Sequence, residues 1–402
     1  MSIQYHRIDD ALQALRQGQM VILMDDTDRE NEGDLILPAA NATAEQINFM
    51  AQHARGLICL SLSAQDFERL QIPMMTDNNT TPNQTAFGVS FEAREGISTG
   101  ISAHDRAKSV HAAINPSHGP QNIRHPGHLF PLKCAEGGVL KRRGHTEGAC
   151  DLARLAGFAP SAVICEIMNP DGTMARADDL KRFADQHQLC LIQMQDLIDH
   201  RWRTETLVTA SATTKLPIAN SQQMQLTVYN TPFDSQEHVA IFKPSSDTIP
   251  LVRIHSECLT GDIFGSERCD CGAQLDVAMT QISRNGGLLI YLRQEGRGIG
   301  LASKIKAYAL QDQGMDTAEA NVTLGHPVDN RNYAVAAQIL KAQHIHRVRL
   351  MTNNPEKIKQ LTHFGIEVCQ RIPLEPPSNP NNHAYLSCKK NKMGHLLTLE
   401  TA

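Results

Sequence analysis

The sequence predicts a two-domain protein of α/β and α+β class, and three observations predict it. A chain of 402 residues is long enough for two cores, at roughly 100 to 200 residues per domain. Two blocks of alternating helical and extended patterns run along it. Between them lies RTETLVTASATTKLPIANSQ, residues 203 to 222, rich in Thr, Ser and small polar residues. The boundary falls near residue 205, which divides the chain into an α+β domain over 1–204 and an α/β domain over 205–402.

Composition narrows the function classes. Apolar residues make up 41% and charged residues 20%, which excludes a fibre or a disordered chain. No basic segment followed by an apolar run opens the sequence, and no uninterrupted apolar stretch reaches the roughly 18 residues a membrane span needs. A cytoplasmic protein without a membrane partner is expected, and the ten cysteines are then read as reduced thiols. A net charge of −5 provides no global basic field, so nucleic acid is not expected as a partner; small anions suit a local basic pocket better.

In the first block, TAEQINFMAQHARG opens with Thr43 and Gln46 at capping-box spacing, places Ile47, Met50, Ala51 and Ala54 on one face, and stops at Gly56. That pattern predicts a helix. The apolar run GLICLSL predicts a strand, and HTEGACDLARLAGF followed by AVICEI predicts a helix and then a strand. In the second block, GGLLIYLR, the loop QEGRGIG and LASKIKAYALQDQG form one strand, loop, helix unit. RVRLMTNNPEKIKQLTHFG forms another, with Asn354 as N-cap, Pro355 at the first helical position and Lys357 one turn in. Free N–H groups and a lysine at such a start suit a phosphate, although an ordinary capped helix reads the same way.

Three cysteines fall within fourteen residues of HSECLTGDIFGSERCDCG, residues 255 to 272. Zinc favours thiolates; a structural site is closed by four protein ligands, whereas a hydrolytic site leaves one position to water. Cys258, Cys269 and Cys271 offer three ligands, and His255 could close the shell. Three thiolates weaken the ion as an acid, so cationic help is expected from Arg253, Arg268, Arg293 or Arg297. The glycine loop EGRGIG has neither the dinucleotide spacing nor a Walker ending. In GHPVDNRNY, Asp329 and Arg331 are two apart, hence on one face of an extended segment or simply a surface ion pair.

The ordered segments RIHSECLTGD, RCDCG, LRQEGRGIG, DNRNY, LMTNNPEK and NPNNHAYL resemble GTP cyclohydrolase II over nearly all of the second half. The resemblance implies that Cys258, Cys269 and Cys271 hold a catalytic zinc whose fourth ligand is water. It implies that Arg253, Ile254, His255, Ser256, Glu257, Gln274, Glu295, Gly296, Arg297, Thr317, Thr352 and Lys357 hold GTP. Asp329 is then the proton acceptor and Arg331 the nucleophile toward the α-phosphate, a demanding role for a guanidinium that is ordinarily protonated.

The acidic segment DDTDRENEGD, residues 25 to 34, sets six acids around Arg29. As an EF-hand loop it fails, because Ala39 stands where a bidentate Glu is required, and Mg2+ with a sugar phosphate fits better. This segment, with TAFGVSFEAREGISTGISAHDRA, HPGHLFPL, RRGHTE and CEIMNPDGTMAR, resembles 3,4-dihydroxy-2-butanone 4-phosphate synthase over about residues 5 to 200. The resemblance implies Mg2+ or Mn2+ on Glu30 and His145. It implies D-ribulose 5-phosphate on Arg29, Glu30, Asp34, Arg142, Arg143, Gly144, His145, Thr146 and Glu166, with His128 and Glu166 essential to the chemistry. Gly88, Phe91 and His104 depart from the family's usual wording. Together the halves resemble the bifunctional riboflavin-biosynthesis enzymes, for which a homodimer is expected. Two alternatives stand beside this reading: an active cyclohydrolase half on a degenerate first half, or a non-enzymatic zinc-stabilised binding module.

Overall fold

The computed structural model describes residues 5–218, 221 and 223–398. The chain divides into two compact units, Met1–Arg201 and Trp202–Ala402. Each is built on one mixed seven-stranded sheet.

The first unit's strands are β1 (Val21–Met24), β2 (Gly33–Pro38), β3 (Cys59–Leu62), β4 (Phe91–Ala93), β5 (Ile123–Lys133), β6 (Ala162–Glu166) and β7 (Cys190–Gln193). They lie in the order β4-β5-β3-β6-β2-β1-β7. β1, β2 and β3 are buried at every position, as continuous apolar runs covered on both faces should be. The capping-box reading at Thr43 is met by its hydroxyl, which accepts the Gln46 N–H at 3.4 Å at the start of the helix Ala44–Phe49. That helix continues as one wide turn over Met50–Ala54. The helix His145–Leu155 and the strand after it also stand where the pattern places them. Gly88 has a packing reason: a Cβ there would come within 2.7 Å of the Phe67 ring and 2.8 Å of Ile72.

The second unit contains β8 (Thr209–Lys215), β9 (Gln225–Asn230), β10 (His238–Lys243), β11 (Leu251–Ser256), β12 (Gly287–Leu292), β13 (Arg347–Met351) and β14 (Glu367–Ile372). Their order is β14-β13-β11-β12-β10-β9-β8. β8, β9, β10 and β12 pair antiparallel, while β12, β11, β13 and β14 pair parallel. The stretch between the two blocks therefore contains an edge strand, Thr209–Lys215. Its Thr-rich composition is strand-forming as well as polar, and β8 is exposed along its whole length. Residues 219, 220 and 222 of that stretch lie outside the described residues.

Candidate functional site

In the second unit the site forms beyond the carboxyl ends of the parallel strands, where open α/β sheets place ligands. β11 delivers Arg253, His255 and Ser256; the loop after β12 delivers Glu295 to Arg297; Thr352 directly follows the end of β13. These line one open cleft with Cys258, Cys269, Cys271, Gln274, Thr317, Arg331, Asn354 and Lys357, a concave setting with convergent polar groups of the kind that binds small molecules. Asn354 caps the helix Pro355–His363, its side chain accepting the Glu356 N–H at 3.0 Å.

The cleft is cationic and partly unsatisfied. Arg253 Nε and Arg297 Nη2 are buried without a hydrogen-bond partner among the described residues. Burial brings the Arg253 guanidinium down to about 10. Lys357 falls well below its ordinary range through burial and the neighbouring charges of Arg253 and Arg331, with its Nζ donating to the Ile254 carbonyl at 2.7 Å. Anionic phosphates would relieve both.

Asp329 and Arg331 form the ion pair that their spacing allowed, with Arg331 Nε donating to Asp329 Oδ1 at 2.8 Å. Burial opposes the Arg331 charge, but Tyr333 and the Asp329 carboxylate overcome it and raise the guanidinium's proton affinity.

The three sulfurs lie within 4.8 Å of one another, and Cys258 Sγ is 3.7 Å from Cys269 Sγ. A tetrahedral ion with bonds of about 2.3 Å needs sulfurs about 3.8 Å apart, so the cage fits zinc. Gly261 makes room for it: a Cβ there would sit 3.0 Å from Cys269 Sγ and 3.2 Å from Cys258 Sγ. His255 does not close the shell. Its Nε2 pairs with Asp262 at 3.1 Å, its Nδ1 faces an Arg253 nitrogen at 3.4 Å, and its ring stacks on Tyr291.

In the first unit, Asp25, Glu30 and His145 place ligand atoms within 4.8 Å of one another. Arg29 Nη1 donates to Asp25 at 2.8 Å and Glu30 at 2.6 Å, and Asn83 donates to Glu30 at 2.6 Å. The His145 hydrogen bond is the largest influence holding Glu30 at about 2. Burial pushes Asp34 up to about 7. Burial would lower His145, but Asp34 and Glu30 outweigh it and lift the imidazole to about 9. His145 Nε2 is buried and lacks a partner among the described residues, which fits a site built to take a cation in exchange for a proton.

Sheet register sets Asp34 on β2 opposite Glu166 on β6. Gly144 precedes the helix His145–Leu155, so His145 and Thr146 occupy its first turn. Arg142 is tied to Glu147 at 2.7 Å and Arg143 to Asp26 at 3.3 Å. His128 is elsewhere. It sits on β5 with its Nδ1 2.7 Å from Glu92, which also holds Arg124. Two strands separate β5 from β2, on the order of 14 Å at the usual strand spacing.

Sequence reasoning passed over several residues. Asp25 lay in the quoted acidic segment without being singled out. Asn83, Lys304, Tyr308, Lys389 and His395 reach the sites only through the fold. One signal existed, since Lys304 and Tyr308 are four apart and share a helix face.

Residues 9–200 match the family described as 3,4-dihydroxy-2-butanone 4-phosphate synthase, and residues 209–373 match GTP cyclohydrolase II. The chain is 50% identical over 398 residues to riboflavin biosynthesis protein RibBA of Bacillus cereus (strain ATCC 14579), covering 98% of this chain and 100% of the relative. It is also 50% identical to the protein of that name from Aquifex aeolicus, covering 98% of each. Among solved structures, RibBX of A. baumannii, a two-domain 3,4-dihydroxy-2-butanone 4-phosphate synthase, matches with a TM-score of 0.69 and 34% identity over 91% of this chain and 99% of that one.

Proposed function

The chain belongs to the family of bifunctional riboflavin-biosynthesis enzymes, and on that premise we propose which of its own residues carry each reaction. One half converts D-ribulose 5-phosphate to L-3,4-dihydroxy-2-butanone 4-phosphate and formate. The other hydrolyses GTP to 2,5-diamino-6-hydroxy-4-(5-phosphoribosylamino)pyrimidine, formate and pyrophosphate.

In the GTP half, Cys258, Cys269 and Cys271 would hold zinc, which supplies the Lewis acidity for hydrolysis at the guanine imidazole carbon. Arg253, Arg297 and Lys357 bind the phosphates, Thr352 and the N-terminus of the helix it precedes orient them, and Gln274, Thr317 and the segment 254–257 fix the nucleoside. Asp329, in contact with Arg331 Nε, is the proton acceptor and Arg331 the nucleophile toward the α-phosphate, although the ion pair between them by itself favours the protonated guanidinium. The observation that carries this reading is the convergence of the three thiols with those cations in one cleft.

In the other half, Glu30 and His145, with Asp25 beside them, would hold Mg2+ or Mn2+, which supplies charge neutralisation at the sugar's diol. Asp34, close to neutral pH in its proton affinity, and Glu166 exchange protons with the substrate. Arg29, Arg142, Arg143 and the first turn after Gly144 hold its phosphate. The distance of His128 from the acid cluster within one chain supports a homodimer in which a second copy contributes it. No described helix is long and apolar enough to cross a membrane, and ten unpaired cysteines support a reducing, cytoplasmic setting.

Formate release measured separately with GTP and with ribulose 5-phosphate tests the assignment. Cys269→Ser should abolish the first and spare the second, and His145→Ala should do the reverse. Loss of both, or of neither, in either variant would overturn it.

A further inference from the structure

Three thiolates around a divalent cation leave a net charge of −1, which blunts its acidity toward whatever fills the fourth position. The four arginines within sequence reach do not answer that charge at sulfur. Arg253 donates to the Met351 carbonyl and to Gln274. Arg268 pairs with Asp312 and lies over the Tyr308 ring. Arg293 pairs with Glu257, and Arg297 Nη1 points at the Val328 carbonyl.

The ammonium that meets the cage belongs to Lys304. Its Nζ lies 3.1 Å from Cys258 Sγ, 3.0 Å from Thr260 Oγ1 and 2.9 Å from Glu295 Oε1. An ammonium has three N–H donors, and each has an acceptor here. The arrangement is braced from outside, because Glu295 also accepts the Leu259 and Gly296 N–H groups at 2.6 and 2.7 Å. The Lys304 side chain is only 9% exposed, so water does not dilute the contact. A lysine kept only for packing needs Glu295 alone; the directed bond to sulfur is additional.

We propose that Lys304 is a positioning residue of the cyclohydrolase half, its ammonium held by Glu295 and Thr260 so that it donates to Cys258 Sγ and moderates that sulfur's electron donation to zinc. The proposal rests on the reading that the three cysteines hold zinc. A donor on the thiolate lowers the energy of the sulfur lone pairs. The cation therefore keeps more of its charge for the reaction, and the cysteine is kept ready as a ligand. Groups that orient or polarise ligands in this way typically change metal affinity or activity by about 10- to 100-fold when removed.

The test uses the full-length protein and the variants Lys304→Met and Lys304→Arg. Cobalt replaces zinc to report the thiolate-to-metal charge-transfer band, a chromophoric chelator competes for zinc, and formate is measured with both substrates. In Lys304→Met the band should move to longer wavelength, because the freed sulfur donates more strongly, and zinc affinity should change by about 10-fold or more. GTP-dependent formate should fall by about 10- to 100-fold, and ribulose 5-phosphate-dependent formate should be unchanged. Lys304→Arg should return the band toward its wild-type position. A wild-type band and wild-type zinc affinity in Lys304→Met overturn the proposal, whatever happens to activity. If that variant does not fold, Thr260→Val, which removes one anchor of the ammonium, should show a smaller shift of the same sign; an unshifted band there sinks the idea equally. Failure of the underlying zinc reading looks different: the wild-type protein would bind no zinc, or Cys258→Ser would bind it as tightly.

Discussion

Asp105 is kept ionised by donors gathered from one loop. Ser98 donates through its hydroxyl at 2.7 Å and its N–H at 3.1 Å, and the Gly100 N–H donates at 3.0 Å. The Ser98 hydroxyl has the largest effect, and together they hold the carboxyl at about 2. A depressed acid contributes stability that is fully present above its unfolded value near 4 and is lost as pH falls through the folded one. Asp105→Asn should therefore lower the urea midpoint at pH 7, with the gap to wild type closing as the pH approaches 2. A gap of equal size at both ends would show that packing, not charge, is at stake. Residues differ in how visible their roles are before folding. Cys258, Cys269 and Cys271 announce themselves because a metal cage needs a particular element at close spacing. Lys304 is one lysine among many until its helix packs and brings Nζ to a sulfur 46 positions earlier.

Elements whose information is local were readable. Asn354, Pro355 and Lys357 specify the start of one helix because a cap, a fixed φ and a first-turn cation act within a few residues. Asn354→Ala should cost about 1 kcal/mol in chemical denaturation and also raise the KM for GTP, because the uncapped first turn borders the cleft. An unchanged KM would separate the cap from the site. Ile290, fully buried in the middle of β12, belongs to the same scale. Ile290→Ala should destabilise by roughly 2–5 kcal/mol, and a loss under 1 kcal/mol would mean the sheet relaxes around the gap. The Thr-rich stretch after residue 203 was open to either reading, since Thr and Ser serve a loop or an edge strand alike. Only pairing with β9 decides between them.

Across the whole molecule the two candidate metal-binding groups differ in chemistry. One offers carboxylates and an imidazole, with Glu30 part-exposed; the other offers three thiols, two of them buried. Removing free divalent cations from the buffer, without a chelator, should abolish formate release from ribulose 5-phosphate, and Mg2+ or Mn2+ should restore it. Release from GTP should persist, because thiolates hold zinc far more tightly than oxygen ligands hold Mg2+. Simultaneous loss of both, repaired by zinc alone, would refute the assignment. The sequence by itself determined the two chemistries, the segments that carry the candidate ligands and most element types, because these depend on residue identity and on spacings of a few positions. Tertiary structure alone decided that His255 turns to Asp262 instead of closing the cage, that Lys304 supplies the cation at sulfur, and that His128 stands one strand away from Glu166 and two from Asp34. Those outcomes are set by strand order and helix packing, which join residues tens of positions apart and leave no local trace along the chain.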